Sequence, residues 1–305
     1  MLEKLMKRFI AGNTPESALK VAKNLMDEGF LVDLNIIGEN EKIINSRAFD
    51  HYKWLINLMR EKNIWADISL KLTHFGSRTA GLYQIAHLAK ELEKLNKRIT
   101  IDMEDVSTDF HIYSALEYVI KENISNIGIC LALNRRNVLY LFYLKETAIT
   151  LACCGYEFFI PFSRVHRVCK GAEYENHKKS SFKNELEPRN NIALKYHSFY
   201  NFFLKNGIYA GLATARDLEL MKGITEFVEE FNISKNNFEF QLLYGIRMDV
   251  GRWLLKNSYK VRIYVPFLFN ESYKKALSYV LRRCSWKVFR ALLSEKMNFT
   301  YRPKE

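Results

Sequence analysis

The chain has 305 residues, of which 48% are hydrophobic and 26% charged, a composition typical of a globular protein with a sizeable core. It excludes intrinsic disorder and fibrous repeats, and the low counts of glycine (13) and proline (5) argue against long structureless linkers. The 46 basic side chains outnumber the 34 acidic ones, which gives a formal net charge of +12.

The excess positive charge leaves three classes of partner open, namely nucleic acid, an anionic membrane surface and an acidic ligand. The basic residues are spread along the whole chain, and no RNP, zinc-finger or helix-turn-helix pattern accompanies them. We therefore expect no nucleic-acid partner and favour a solvated basic surface with one anion-binding pocket. A basic interaction protein that binds nucleic acid or an anionic membrane is the alternative from another functional class.

The cysteines and the apolar segments indicate the cellular compartment of the protein. The five cysteines are odd in number and form no C-x-x-C pair, which predicts buried, reduced side chains and neither a disulfide framework nor a metal site. The first residues, MLEKLMKRF, contain no apolar core of a signal peptide, and no run of about 20 apolar residues occurs. We expect no secretory signal, no transmembrane segment and a cytoplasmic location.

The first clear element is a helix that begins after Thr14 and Pro15, has helically spaced apolar residues, and stops at Gly29. Short β-branched runs then alternate with longer amphipathic stretches. These runs predict eight strands, at residues 30–38, 66–72, 98–103, 126–133, 164–170, 208–214, 238–244 and 261–267.

Eight strands that alternate with helices predict an α/β fold, a (β/α)8 TIM-like barrel. We expect a single domain over residues 1–305 with an N-terminal helix. A doubly wound parallel sheet is the alternative, but its usual nucleotide signatures are missing. No G-x-G-x-x-G follows the first strand, and no G-x-x-x-x-G-K-[ST] occurs in the sequence.

In a barrel of this kind, catalytic groups lie at the carboxyl ends of the strands. Lys71, Asp102 and Arg167 are charged residues within otherwise apolar strands, SLKLT, TIDME and RVHRVC. Because a lone buried carboxylate is costly, we expect Asp102 to form an ion pair with Lys71 on the neighbouring strand. The residues alone leave open whether that pair is structural or catalytic.

Seven segments, in order, resemble the proline dehydrogenase family, barrel enzymes that use FAD to oxidise L-proline by hydride transfer to flavin N5. They are the stretch that ends in LVDLNIIGE, then ISLKLTHFG, RITIDMED, RVCKGA, FEFQLLYG, VRIYVPF and YVLRR. The resemblance extends from about residue 8 to residue 293. Each segment is a weak signal by itself, and their shared order and spacing make the resemblance specific.

The resemblance implies roles for individual residues. The catalytic residues would be Asp102, Arg167 and Tyr264, with Arg167 near the flavin ring. The substrate-binding residues would be Lys71, Glu173, Tyr279, Arg282 and Arg283. The cofactor-binding residues would be Met103, Ala132, Arg167, Lys170, Gly171, Ala172, Thr214 and Ala215. The chemistry suits the two adjacent arginines, since guanidinium groups can clamp a carboxylate through paired hydrogen bonds.

Three positions depart from the family pattern. Ala132 lies where a glutamine would contact the flavin edge, and Ala215 replaces a histidine on the adenine side. Glu173 replaces a tyrosine of the substrate wall. We favour a divergent but working proline dehydrogenase. The alternatives are a flavoenzyme of the same fold for a related cyclic or N-substituted amino acid, and a non-catalytic ligand-binding relative.

The resemblance also implies partners. Electrons from proline pass in this family to a membrane quinone, so we expect a quinone or another acceptor and contact with the inner membrane face. The product, 1-pyrroline-5-carboxylate, would be oxidised by a separate pyrroline-5-carboxylate dehydrogenase chain.

Overall fold

Strands and helices alternate along the part of the chain that the computed structural model describes. That part comprises residues 2–38, 47–76, 79–104, 108–133, 166–169, 189–205, 209–213, 218–277 and 279–280. The strands are β1 (Leu31–Ile36), β2 (Asp67–Leu70), β3 (Ile99–Ile101), β4 (Ile127–Ala132), β5 (His166–Cys169), β6 (Ala210–Ala213), β7 (Phe238–Leu243) and β8 (Val261–Phe267). The α-helices are α1 (Leu2–Phe9), α2 (Pro15–Asp27), α3 (Arg47–Lys62), α4 (Thr79–Glu93), α5 (Asp109–Lys121), α6 (Arg189–Lys205), α7 (Leu218–Glu230) and α8 (Met248–Lys256).

The eight strands form a closed barrel in chain order. Each strand pairs in parallel with the next, and β8 closes the barrel by pairing in parallel with β1, with Tyr264 opposite Asp33. The prediction of a TIM-like (β/α)8 barrel is confirmed, and the doubly wound alternative is wrong. That residues 1–305 form a single domain stays a prediction.

The two faces of the barrel strands differ in polarity. In β1, the buried side chains of Val32, Leu34 and Ile36 belong to the main apolar core, while Asp33 and Asn35 alternate with them and are buried too. Side chains alternate between the two faces of a strand, so the polar pair points into the barrel and the apolar set packs beneath the helices. Other strands repeat the pattern, and the buried polar side chains on or next to them include Ser69, Lys71, Thr100, Asp102, Glu239, Gln241 and Arg262.

Helix α2 begins and ends where the sequence predicts. The Thr14 side chain accepts a hydrogen bond from the backbone N–H of Ser17, and the Ser17 hydroxyl accepts one from the backbone N–H of Thr14, a capping box with Pro15 as the first helical residue. Gly29 follows the helix with a φ of +94°, a backbone conformation that favours glycine.

The N-terminal segment braces the chain that follows β8. The backbone N–H of Ala11 donates a hydrogen bond to the Pro266 carbonyl over 2.9 Å, and the Gly12 carbonyl accepts a hydrogen bond from the backbone N–H of Leu268 over 3.0 Å. A small apolar cluster joins the two segments through Met6, Phe9, Ile10, Leu268, Ala276, Tyr279 and Val280. The region that carries Tyr279 is therefore held at the carboxyl end of the barrel.

Candidate active site

A buried aspartate is the centre of the polar groups at the carboxyl end of the barrel. Asp102 directly follows β3, is 7% exposed, and donates its backbone N–H to the Leu70 carbonyl over 2.8 Å, which fixes it against β2. Tyr264 of β8 donates its hydroxyl to Asp102 Oδ2 over 2.7 Å. Strands β3 and β8 are not neighbours in the sheet, so this bond crosses the barrel interior. It joins two of the residues predicted to be catalytic.

Asn35 of β1 contacts the same carboxylate, and sequence reasoning missed it. Its Nδ2 donates to Asp102 Oδ2 over 3.2 Å and to the Ser69 carbonyl over 3.2 Å. The side chain is 0% exposed, and its Oδ1 accepts no hydrogen bond from any residue that the structure describes. A signal was available in the run FLVDLNIIG, because Asp33 and Asn35 are polar residues two apart, and hence on one face of an otherwise apolar strand.

Lys71 follows β2 and has a buried side chain, 6% exposed. Within the described residues, no ion pair of 4.0 Å or less joins Lys71 to Asp102, so the expected pair is not formed. Tyr264 and Asn35 hold the carboxylate instead. A buried ammonium group at this place is suited to bind an anion that enters the barrel mouth.

A second carboxyl, that of Glu104, lies beside Lys71. Thr73 donates its backbone N–H to Glu104 Oε1 over 3.0 Å and its hydroxyl to Oε2, which ties the end of β3 to the 3-10 turn after β2. Burial raises the pKa of Glu104, and the hydrogen bonds from Thr73 and the charge of Lys71 only partly oppose that rise. Glu104 therefore keeps its proton to a higher pH than a free glutamate does.

A charged cluster fills the barrel beneath these groups, near the amino ends of the strands. Arg262 donates to Glu239 over 2.5 and 3.0 Å and forms an ion pair with Asp67 at 2.8 Å. Gln241 and Tyr209 also donate to Glu239, over 2.6 and 3.1 Å. Burial alone would raise the pKa of Glu239, but the Arg262 guanidinium, together with the hydrogen bonds from Gln241 and Tyr209, more than offsets this and keeps the pKa below its usual value. Sequence reasoning missed the cluster, although Glu239 and Arg262 interrupt apolar runs as Lys71 does.

The other predicted site residues fall into three groups. Met103 is half buried beside Asp102, Ala132 is buried at the end of β4, and Tyr279 is buried in the cluster under α1. Arg167 lies in β5 in register with Cys130 and Gly211, and its side chain lies outside the described part of the chain. The residues outside the described ranges are Lys170, Gly171, Ala172, Glu173, Thr214, Ala215, Arg282 and Arg283.

Comparison with known proteins identifies the family of this barrel. A family profile described as proline dehydrogenase matches residues 18–285, which is most of the chain. The chain belongs to the proline dehydrogenase family. Family membership makes it an oxidoreductase of proline catabolism, as the resemblance implied.

Individual members of the proline dehydrogenase family match nearly the same extent. Proline dehydrogenase 1 of Bacillus subtilis subsp. natto is 29% identical over 269 residues, which cover 86% of this chain and 81% of that protein. Proline dehydrogenase of Deinococcus radiodurans is 26% identical over 274 residues, with the same two coverages.

Solved structures show the same fold. Proline utilization A (PutA) from Bdellovibrio bacteriovorus, inactivated by N-propargylglycine, superposes with a TM-score of 0.77 at 18% identity and covers 92% of this chain. The chain spans about a third (32%) of that PutA chain. In the described residues, no helix is long and apolar enough to cross a membrane.

Proposed function

We propose that this chain catalyses the FAD-dependent oxidation of L-proline to 1-pyrroline-5-carboxylate. The family supports proline as the substrate. The observation that carries the proposal is the buried hydrogen bond between Tyr264 and Asp102, which lies close to Lys71 at the carboxyl end of the barrel. This is the end at which barrel enzymes carry their catalytic groups.

One set of side chains is suited to hold the carboxylate of proline. Lys71 offers a buried ammonium group that has no carboxylate within 4.0 Å among the described residues. Arg282 and Arg283, by the resemblance, would add planar guanidinium groups that donate two parallel hydrogen bonds to a carboxylate. Because the carboxylate is held in this way, the reacting ring carbon next to the nitrogen is fixed in position.

A second set controls the reacting side of proline. Asp102 accepts a hydrogen bond from the Tyr264 hydroxyl over 2.7 Å, and both side chains are largely screened from water. Dipoles fixed in a dry site need little reorganisation during reaction, so they stabilise a transition state better than mobile water does. The Tyr264 ring would also cover the proline ring. FAD bound here would supply the acceptor for the hydride of the carbon beside the ring nitrogen.

Two described positions fit a flavin at the barrel mouth. Met103 is half buried at the end of β3, so part of its apolar side chain remains available to a planar ring. Ala132 ends β4 on the face that points into the barrel, where its small side chain leaves space. Arg167 would stabilise negative charge on the ring, while Lys170, Gly171, Ala172, Thr214 and Ala215 would complete the cofactor site.

The proposed reaction needs an electron acceptor and a second enzyme that uses its product. A quinone or another acceptor would reoxidise the cofactor, and the net charge of +12 would favour contact with an anionic inner membrane face by a cytoplasmic enzyme. A separate pyrroline-5-carboxylate dehydrogenase chain would then oxidise the product.

A related amino acid is the second candidate substrate, because Glu173 replaces an aromatic residue of the substrate wall. A carboxylate there would accept a hydrogen bond from an added hydroxyl group, so 4-hydroxyproline should compete with proline. Glu173→Tyr should shift the ratio of kcat/KM values back toward unsubstituted proline. An unchanged ratio would remove Glu173 from the specificity of the site.

The direct test is dye reduction by the purified protein supplied with FAD. L-proline should reduce dichlorophenolindophenol with the parent chain, and Asp102→Ala should abolish most of this activity. Asp27→Ala is the matched control, because Asp27 lies on the exposed surface of α2 in an ion pair with Lys23. Proline-dependent reduction that is absent in the parent, or equal in parent and Asp102→Ala, would contradict the proposal.

A further inference from the structure

We propose that Asn35 is a positioning residue that fixes the working orientation of the Asp102 carboxylate, an inference that rests on the proposed function. Asn35 lies on β1, and Asp102 follows β3, so the contact passes over β2 inside the barrel. Tyr264 reaches the same oxygen from β8. Three strands thus converge on one carboxylate oxygen.

The chemistry of its neighbours fixes the orientation of the Asn35 amide. The Ser69 carbonyl and the Asp102 carboxylate oxygen both accept hydrogen bonds here, so the NH2 end of the amide must face them. This orientation leaves the buried Oδ1 without a donor among the described residues. Burial of such an acceptor is unfavourable, and the arrangement persists because Nδ2 serves two acceptors at once.

The backbone around Asn35 has little freedom. Asn35 is in register with Ser69 on one side and with Pro266 on the other, in the interior of a closed sheet. The Ser69 hydroxyl in turn donates to Asp33 over 2.5 Å, which links the next polar residue of β1 to β2. A donor on such a rigid element can hold another side chain within a few tenths of an ångström.

Two donors on one oxygen restrict the rotation of the Asp102 carboxylate. With Asn35 removed, Oδ2 would lose one of these two donors, and the Asp102 and Tyr264 side chains could move together away from the substrate. The carboxylate clamp formed by Lys71 and the arginines would be untouched. Loss of Asn35 should therefore lower kcat much more than it weakens binding of the substrate carboxylate.

The test compares Asn35→Leu, which keeps the approximate volume and removes the amide, with the control Asn126→Leu. Asn126 is also buried and donates to the carbonyls of Ala89 and Lys97 over 2.7 and 3.0 Å, at the amino end of β4, whereas Asp102 follows the carboxyl end of β3. Both variants should lose stability, whereas only Asn35→Leu should lose kcat with L-proline, by roughly 10- to 100-fold. The Kd of cyclopentanecarboxylate, measured by calorimetry, should change by less than about threefold in either variant, since this probe keeps the carboxylate and lacks the amine.

A crystal structure of the Asn35 variant gives a readout that needs no activity. We expect the Asp102 carboxylate to rotate away from its parental orientation, with the Tyr264 hydroxyl still on Oδ2. If Asn35→Leu fails to fold, Asn35→Ser carries the same comparison, because its hydroxyl is too short to reach Asp102. An unrotated carboxylate with parental kcat, or an equal loss of kcat in Asn126→Leu, would overturn the inference. If the parent itself does not oxidise proline, the proposed function fails, and the crystal structure still decides whether Asn35 positions Asp102.

Discussion

Removal of one hydroxyl group tests the geometry of the barrel mouth. Tyr264→Phe keeps the ring and deletes the donor that lies 2.7 Å from Asp102 Oδ2. Tyr264 is 9% exposed, so water has little access to replace the lost donor, and Asn35 at 3.2 Å would remain on that oxygen. A hydrogen bond to a charged group contributes about 1.5–3 kcal/mol. We expect kcat/KM for L-proline to fall by about 10- to 150-fold.

The chain offers a matched control for this change. Tyr259 is also buried, but its hydroxyl makes no hydrogen bond within the described part of the chain, and it lies before β8 at the other end of the barrel. Tyr259→Phe removes the same atom without removing a hydrogen bond, so both kcat/KM and the free energy of unfolding should stay close to parental values. Dye reduction over a range of proline concentrations measures kcat and KM for all three proteins. If Tyr264→Phe retains parental kcat/KM, the contact with Asp102 does not serve the reaction.

Three further predictions concern the barrel core, the Glu104 carboxyl and the cofactor. Glu239→Ala removes a buried partner of Arg262 and should lower the free energy of unfolding in urea by about 3–5 kcal/mol. The control Glu28→Ala removes one side of an exposed ion pair and should lower it by less than about 1 kcal/mol. Similar losses in the two variants would contradict a structural role for the buried pair. Because burial raises the pKa of Glu104, the folded chain binds that proton more tightly than the unfolded chain, and this contribution to stability is lost as pH rises above the unfolded value of about 4.5. Glu104→Gln has no carboxyl to titrate, so its free energy of unfolding relative to that of the parent should increase between about pH 4 and pH 7. A difference that stays constant over this range would refute the raised pKa of Glu104. Ala132→Gln should restore one hydrogen bond of about 0.5–1.5 kcal/mol and tighten FAD about 2- to 13-fold in equilibrium dialysis, whereas an unchanged Kd would argue against a flavin edge at this position.

The fold was predictable because its signals are local. Each β-branched run lies beside its own amphipathic helix, so the alternation of strand and helix along the chain was enough to predict a barrel. Parallel strands separated by helices have few alternative arrangements, and the absence of a glycine-rich nucleotide signature disfavoured the doubly wound sheet. Asp102 stood out as a charged residue within an apolar strand, and the family motifs implied catalytic roles for Asp102 and Tyr264.

The contacts inside the barrel were less predictable, because they join residues far apart in sequence. Neighbouring strands suggested that Asp102 would pair with Lys71, yet closure of the barrel brings Tyr264, 162 residues away, to the same carboxylate. Asn35 was missed for the same reason, since only the closed sheet shows that its amide reaches Asp102. A strand pattern gives the face of a side chain but not the partner that it meets across the barrel.

The measurement that tests the central claim most directly is the flavin absorption spectrum of the purified protein, reconstituted with FAD and titrated with L-proline without oxygen. We predict a visible flavin band that loses its intensity as L-proline is added, remains unchanged with cyclopentanecarboxylate, and persists in Asp102→Ala. A parent protein that binds no FAD, or whose flavin band is unaffected by L-proline, would contradict the assignment of this barrel as a proline-oxidising flavoenzyme.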